Sequence, residues 1–141
     1  MRTSARNALS GVVNKIVVGS VNDEVILAVG EGVEIVAIIT KHSVEHLGLA
    51  VGAPATALIK SSFVILAPDT PDLRTSARNQ FSGVITALEE GAVNSEVVLD
   101  IGGGMSLTAV VTRESAGELG LAVGGRAAAL VKASHIILAV D

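Results

Sequence analysis

The sequence predicts an all-β protein made of two tandem copies of one small module, and three observations carry that reading. First, the hydrophobic half of the chain is aliphatic: there is no Trp or Tyr, and the only aromatic carbocycles are Phe63 and Phe81. Its abundant Val and Ile are β-branched and suit pleated, half-buried strands better than helices. Second, 15 glycines and only three prolines punctuate short apolar runs, as turns between strands do. Third, Arg2-Thr3-Ser4-Ala5-Arg6-Asn7 returns intact as Arg74-Thr75-Ser76-Ala77-Arg78-Asn79, and the offset holds without a gap as far as Asp69 and Asp141. Across that span 35 of 68 aligned pairs are identical, so the module is duplicated. The expected boundaries are 1–69 and 74–141, with 70–73 as linker. The stretch Pro68-Asp69-Thr70-Pro71-Asp72-Leu73 is polar and holds two of the prolines, which suits a connector.

Each copy follows the same element order. Residues 9–18 read as a first strand and Gly19-Ser20 as a turn. Val21 to Val29 reads as a second strand, Gly30-Glu31-Gly32 as a hairpin, and Val33 to Thr40 as a third strand. A short helix follows, capped by Thr40 or Ser43 and stopped by Gly48. In the second copy Ser115-Ala116-Gly117-Glu118 fits a capping box, with Gly120 as the stop. Two more strands are expected at 55–60 and 62–67. Three strands, a short helix and two strands match a five-stranded Greek-key barrel of the OB-fold type. Two modules this small are each marginal alone, so association within and between chains is expected.

Composition excludes several functions. With no Cys there is no disulfide framework, zinc–thiolate site or iron–sulfur cluster. The polar start Met1 to Asn7 lacks the apolar core of a signal peptide. No apolar run approaches the roughly 20 residues that span a bilayer. A cytoplasmic protein without membrane contact is expected. The formal charge of −4 argues against nucleic acid as a partner, which demands a basic surface. Any bound anion must be held by local geometry.

Polar residues present in both copies narrow the chemistry. They are Ser4/Ser76, Arg6/Arg78, Asn7/Asn79, Asn22/Asn94, Thr40/Thr112, Ser43/Ser115, Lys60/Lys132, Ser62/Ser134 and Glu24/Glu96. Apart from the glutamate pair, the set is rich in cations and hydrogen-bond donors. Lys60 and Lys132 each sit within an aliphatic strand pattern, either snorkelling from an edge strand or held for a ligand. Arg6 has two readings as well, a surface ion pair or a ligand contact; Ser4 can be a plain turn residue. Together, the Arg fork, the Lys point charge and the hydroxyls form an all-donor shell that suits a deprotonated tetrahedral oxyanion. Phosphate near neutrality retains a proton and needs an acceptor, whereas molybdate, tungstate and sulfate do not. His42 and His46 lie four residues apart on the helix, but Glu114 and Glu118 replace them in the second copy. They read as a solvated helix face, with no metal cation expected. His135 replaces Phe63 and reads as packing.

The ordered set Thr3-Ser4-Ala5-Arg6-Asn7, Gly19-x-Val21-Asn22-x-Glu24-Val25, Thr40-x-x-Ser43-x-x-x-Leu47-Gly48-Leu49 and Ala57-Leu58-Ile59-Lys60 resembles the Mop domain of the molbindins. The resemblance covers essentially the whole chain, twice. It implies a molybdate-binding protein, with tungstate as a second ligand and no cofactor. Its chains are expected to form a homotrimer with oxyanions at module interfaces. The main site implied by the resemblance uses Ser4, the Ala5 backbone, Arg6, Thr40, Lys60, and Ser61 or Ser62. Its counterpart uses Ser76, Ala77, Arg78, Thr112, Lys132, Ala133 and Ser134, with only backbone contact at 133. A second class of site is assigned to Gly19, Asn22 and Ser43, with Gly91, Asn94 and Ser115, although turns and helix caps also explain these residues.

Storage and buffering of molybdate is therefore the leading expectation. With two modules accounting for these residues, no helix-turn-helix or phosphate-binding loop is expected. The alternative is an OB-fold module for nucleic acid or protein, but nucleic-acid binding needs aromatic platforms and a positive groove. An enzyme is not expected: there is no cysteine nucleophile, and no Ser-His-Asp arrangement recurs in both copies.

Overall fold

The computed structural model describes all 141 residues. In the first copy the elements are β1 (Asn7–Val17), β2 (Asn22–Gly30), β3 (Val33–Thr40), α1 (Lys41–His46), β4 (Pro54–Ile59) and β5 (Ile65–Ala67). In the second they are β6 (Asn79–Glu90), β7 (Asn94–Gly102), β8 (Met105–Thr112), α2 (Arg113–Glu118), β9 (Arg126–Val131) and β10 (Ile137–Ala139). The protein is nearly all-β, as the sequence predicts: two curled five-stranded antiparallel sheets and two short helices.

The sheets are not assembled from one copy each. Their strand orders are β10-β4-β1-β2-β3 and β5-β9-β6-β7-β8, so the copies exchange their last strands. Leu66 pairs with Ala129 on β9, and Leu138 pairs with Ala57 on β4. Both residues of each pair are buried, so each copy closes its apolar interior with the other's chain. The result is one core: a single cluster of 25 buried residues runs through both copies, from Leu9, Leu27 and Ile35 to Leu99, Leu107 and Leu138. Sharing a core is a physical remedy for modules too small to bury enough surface alone.

The exchange begins at a turn that the sequence pattern misses. Residues 62–67 do not form one strand; Ser61–Phe63 is a 3-10 turn, closed by the Phe63 amide donating to the Lys60 carbonyl at 2.9 Å. Ala133–His135 repeats it in the second copy. This turn redirects the chain away from its own sheet. It also leaves Lys60 and Lys132 just beyond β4 and β9, not inside the strands. Nor are those strands edges, because β4 lies between β10 and β1; edge protection does not explain the lysines.

Asn7 and Asn79 fasten the copies together. The buried Asn7 side chain accepts from the Thr108 amide at 2.7 Å and donates to the Thr108 carbonyl at 2.8 Å and the Ile59 carbonyl at 3.2 Å. Asn79 makes the matching bonds to Val36 and Val131. Each asparagine thus imitates a strand partner for the third strand of the other copy, satisfying groups that would be costly to bury unpaired. The two hairpins also touch. A Cβ on Gly103, which has φ +60°, would lie 2.9 Å from the Glu31 carbonyl oxygen, so this approach requires glycine.

Thr40 and Thr112 cap the helices. Each hydroxyl accepts the amide of Ser43 or Ser115 at 3.1 Å and donates to that serine's hydroxyl at 2.8 or 2.7 Å. The capping box read at Ser115 is therefore displaced: Ser115 lies in the first turn and Glu118 is the last helical residue. Gly48 and Gly120, at φ +64° and +63°, stop the helices as expected.

Candidate functional site

The segment before β1 and the turn after β4 converge, because Asn7 pairs with Ile59. That register brings Ser4, Ala5 and Arg6 beside Lys60 and Ser61 in a cleft of about 450 Å³. Thr3, Leu58 and Phe63 line it from the same copy, and His135 and Ile137 from the other. A cleft of about 290 Å³ in the second copy gathers Thr75, Ser76, Ala77, Leu130 and Lys132, with Ile65 from the first. The exchanged strand of the other copy adds one apolar residue to each cleft, Ile137 to the first and Ile65 to the second.

Within the first cleft the Ser4 and Ser61 hydroxyls and the Lys60 ammonium are available to a ligand. Lys60 has no carboxylate partner among the ion pairs; its Nζ lies 5.7 Å from the Phe63 ring centroid, where the ring face favours a cation. The Ala5 amide, assigned to the anion by resemblance, donates instead to Thr3 Oγ1 at 3.1 Å. The Ala77 amide does the same to Thr75 Oγ1.

The arginines are engaged across the copies. Arg6 Nη1 and Nη2 each donate to Glu96 at 2.6 Å, and Arg78 grips Glu24 in the same fork at 2.7 Å. The hydrogen bond from Arg6 holds the Glu96 carboxyl below the usual glutamate range, and Arg78 does so for Glu24. Reciprocally, both guanidinium groups are held more firmly protonated. Glu96 lies directly opposite Glu89 in the β6–β7 ladder, a like-charge pair that alone destabilises a sheet; Arg6 offsets it. A guanidinium has five donors, so the bidentate pair leaves N–H groups on Arg6 for a ligand. The glutamates are the partners that sequence reasoning missed, although their repetition in both copies was the available signal.

The remaining assigned residues lie elsewhere. Ser62 faces away from the Lys60 cleft and shares a groove with Thr112 and Ser115 of the other copy. Thr40 and Thr112 cap helices, Ala133 is buried at 2% exposure, and Ser134 is exposed on its 3-10 turn. Gly19 and Gly91 press against the carbonyls of Asn22 and Asn94; an added Cβ would clash with either oxygen. Gly91 and Asn94 share a shallow groove with Glu89, Glu90 and Glu96, whose charges oppose an anion. The rings of His42 and His46 stack with centroids 6.1 Å apart, and no group of three or more His, Cys, Asp or Glu gathers in metal-binding proximity.

Comparison with known proteins agrees with this architecture. The TOBE domain model matches residues 3–66 and again 75–138. The chain is 49% identical over 139 residues to the molybdenum-pterin-binding protein MopA of Rhodobacter capsulatus, covering 99% of this chain and 52% of that protein. It is 47% identical over 140 residues to the molybdenum transport protein ModE of Azotobacter vinelandii, with 99% and 52% coverage. The chain thus spans about half the length of the curated relatives it matches. The crystal structure of the cytoplasmic molybdate-binding protein ModG with molybdate bound superposes with a TM-score of 0.95 at 42% identity, covering all of both chains. The relatives are described as binding, transport and regulatory proteins. The chain belongs to the TOBE-domain family, as a tandem pair of Mop-type domains.

Proposed function

We propose that this protein binds molybdate, and tungstate as its close analogue, and serves to store and buffer the anion in the cytoplasm. The observation that carries the reading is the pairing of Ser4 with the carboxylate-free Lys60 in one cleft, and of Ser76 with Lys132 in its counterpart. Likeness to ModG over its full length, in a form with molybdate bound, supports the choice of anion.

In this reading the main sites comprise Ser4, Arg6, Lys60 and Ser61, and Ser76, Arg78 and Lys132. Thr40, Ser62, Thr112 and Ser134 enter them from neighbouring copies in a homotrimer. The exposed apolar residues Val18, Val21, Val51 and Val93 give such an assembly surface to bury. Residues 1–69 and 74–141 each form one module and supply the Ser, Arg and Lys donors of one main site, joined by the linker 70–73. Gly19, Asn22 and Ser43, with Gly91, Asn94 and Ser115, form the second class of site. The protein is a binder without catalytic activity, and it uses no nucleic-acid partner, membrane contact or cofactor.

The test is Arg6→Ala combined with Arg78→Ala, followed by calorimetric titration with molybdate and by sedimentation. Affinity is expected to fall at least about tenfold, as loss of a charge-assisted bond implies, while the oligomer persists. Unchanged molybdate affinity would show that the arginines are not ligands.

A further inference from the structure

We propose that the two main clefts are not equivalent, and that His135 makes the first a pH-responsive anion site while the second has no such group. This deepens the molybdate-binding reading and rests on it.

The copies differ at the position after the paired serines: Phe63 in the first, His135 in the second. His135 ends the 3-10 turn that follows Lys132, its amide donating to the Lys132 carbonyl at 2.9 Å, and that turn leads into the exchanged strand β10. The His135 ring lies against Phe63 at a tilt of 32°, with ring centroids 4.6 Å apart, and lines the cleft of Ser4, Arg6, Lys60 and Ser61. The second cleft, with Ser76 and Lys132, has no histidine in its lining. One cleft therefore holds an imidazole beside its cationic donors, and the other holds none.

The charged neighbours are few. Arg6 and Lys60 share the cleft, Lys132 precedes the turn that carries His135, and Phe63 is the ring in direct contact. The 3-10 turn carrying His135 packs against β3, whose one charged residue, Glu34, accepts a hydrogen bond from Asn14. The adjoining β10 and β4 carry no charged residue. Histidine is the side chain whose charge changes near neutrality, and molybdate remains a dianion throughout that range. Protonated His135 adds a positive charge to the lining of the first cleft. Affinity there rises as pH falls, and bound anion in turn favours the imidazolium.

Calorimetric titrations with molybdate at pH 6 and pH 8 test this, in the full chain and in His135→Phe. Phenylalanine occupies the matching position in the first copy, so the variant keeps an aromatic pair. In the native protein one class of sites is expected to bind about three to ten times more tightly at pH 6, as a partly screened charge at this range gives. His135→Phe is expected to flatten that difference below about twofold, whereas His42→Gln with His46→Gln leaves it intact. A pH dependence that survives His135→Phe, or vanishes with the helix histidines, overturns the proposal. The His135 ring protons offer a second readout by NMR: molybdate should raise their titration midpoint, and an unmoved midpoint also overturns it. A protein that takes up no molybdate at either pH overturns the proposed function as well, an outcome distinct from binding that ignores pH.

Discussion

The two halves of the chain share a backbone plan and a donor set, yet their surroundings differ. Position 61 is Ser where 133 is Ala, and 63 is Phe where 135 is His. Val17 and Val18 in the first half become Glu89 and Glu90 in the second. Asp23 is buried and paired with Lys41 at 3.3 Å; its counterpart Ser95 is buried with its hydroxyl unpartnered. The features kept in both halves are those that join them: the Asn7 and Asn79 clasps, the Arg–Glu forks and the exchanged strands. Divergence reaches the cleft walls, as at 61 and 63, and also the buried positions, as at Asp23 and Ser95.

The largest effect expected from breaking this symmetry comes from the exchanged strands. Leu138→Ala, at a residue 6% exposed, is expected to cost about 2–5 kcal/mol. Hydrogen exchange should accelerate first in β1 and β4, the sheet of the other copy. Leu66→Ala should do the same to β6 and β9. Acceleration confined to the mutated copy's own sheet would contradict the exchange.

Next come the clasps. Asn7→Ala leaves the Thr108 amide and carbonyl without their partner, and about 2–4 kcal/mol of stability is expected to be lost. Denaturant unfolding measures it, and Asn79→Ala should match it closely if the halves are equivalent at the interface. A loss well under 1 kcal/mol in either would show that water replaces these bonds.

Ligand contacts rank third. Lys60→Ala and Lys132→Ala should each weaken molybdate binding in one class of sites by about tenfold, or about 1.4 kcal/mol. Equal loss in both classes from either single change would mean that the clefts act as one site.

The smallest effect belongs to the forks. Both glutamates titrate below their usual range because an arginine donates to them. Their contribution to stability is thus present above the ordinary glutamate pKa and is lost as pH falls through the lowered values. Glu24→Gln with Glu96→Gln should lower Tm slightly at pH 7, a deficit that closes under acid. A deficit that persists in strong acid would assign the effect to packing.

Much of this was legible in the sequence. The repeat, three strands per copy, the glycine helix stops and the shared donors follow from local pattern. What was not legible depends on chain crossing. Residues 62–67 have strand-like composition, and only tertiary packing turns Ser61–Phe63 into a 3-10 turn that sends β5 to the other copy. Arg6 pairs with Glu96, 90 residues away, because β6 and β7 of the second copy lie against the first. His135 was legible as packing, since it replaces Phe63, but not as the neighbour of Phe63 or as a wall of the first cleft. A self-similar sequence cannot distinguish a strand that returns to its own sheet from one that crosses.

The central claim is that clefts built jointly by both halves hold a fully deprotonated tetrahedral oxyanion. Titration of the unmodified protein with molybdate, and separately with phosphate, tests it most directly. Saturable heat with molybdate and none with phosphate at pH 7 is the predicted result; no response to molybdate would contradict it.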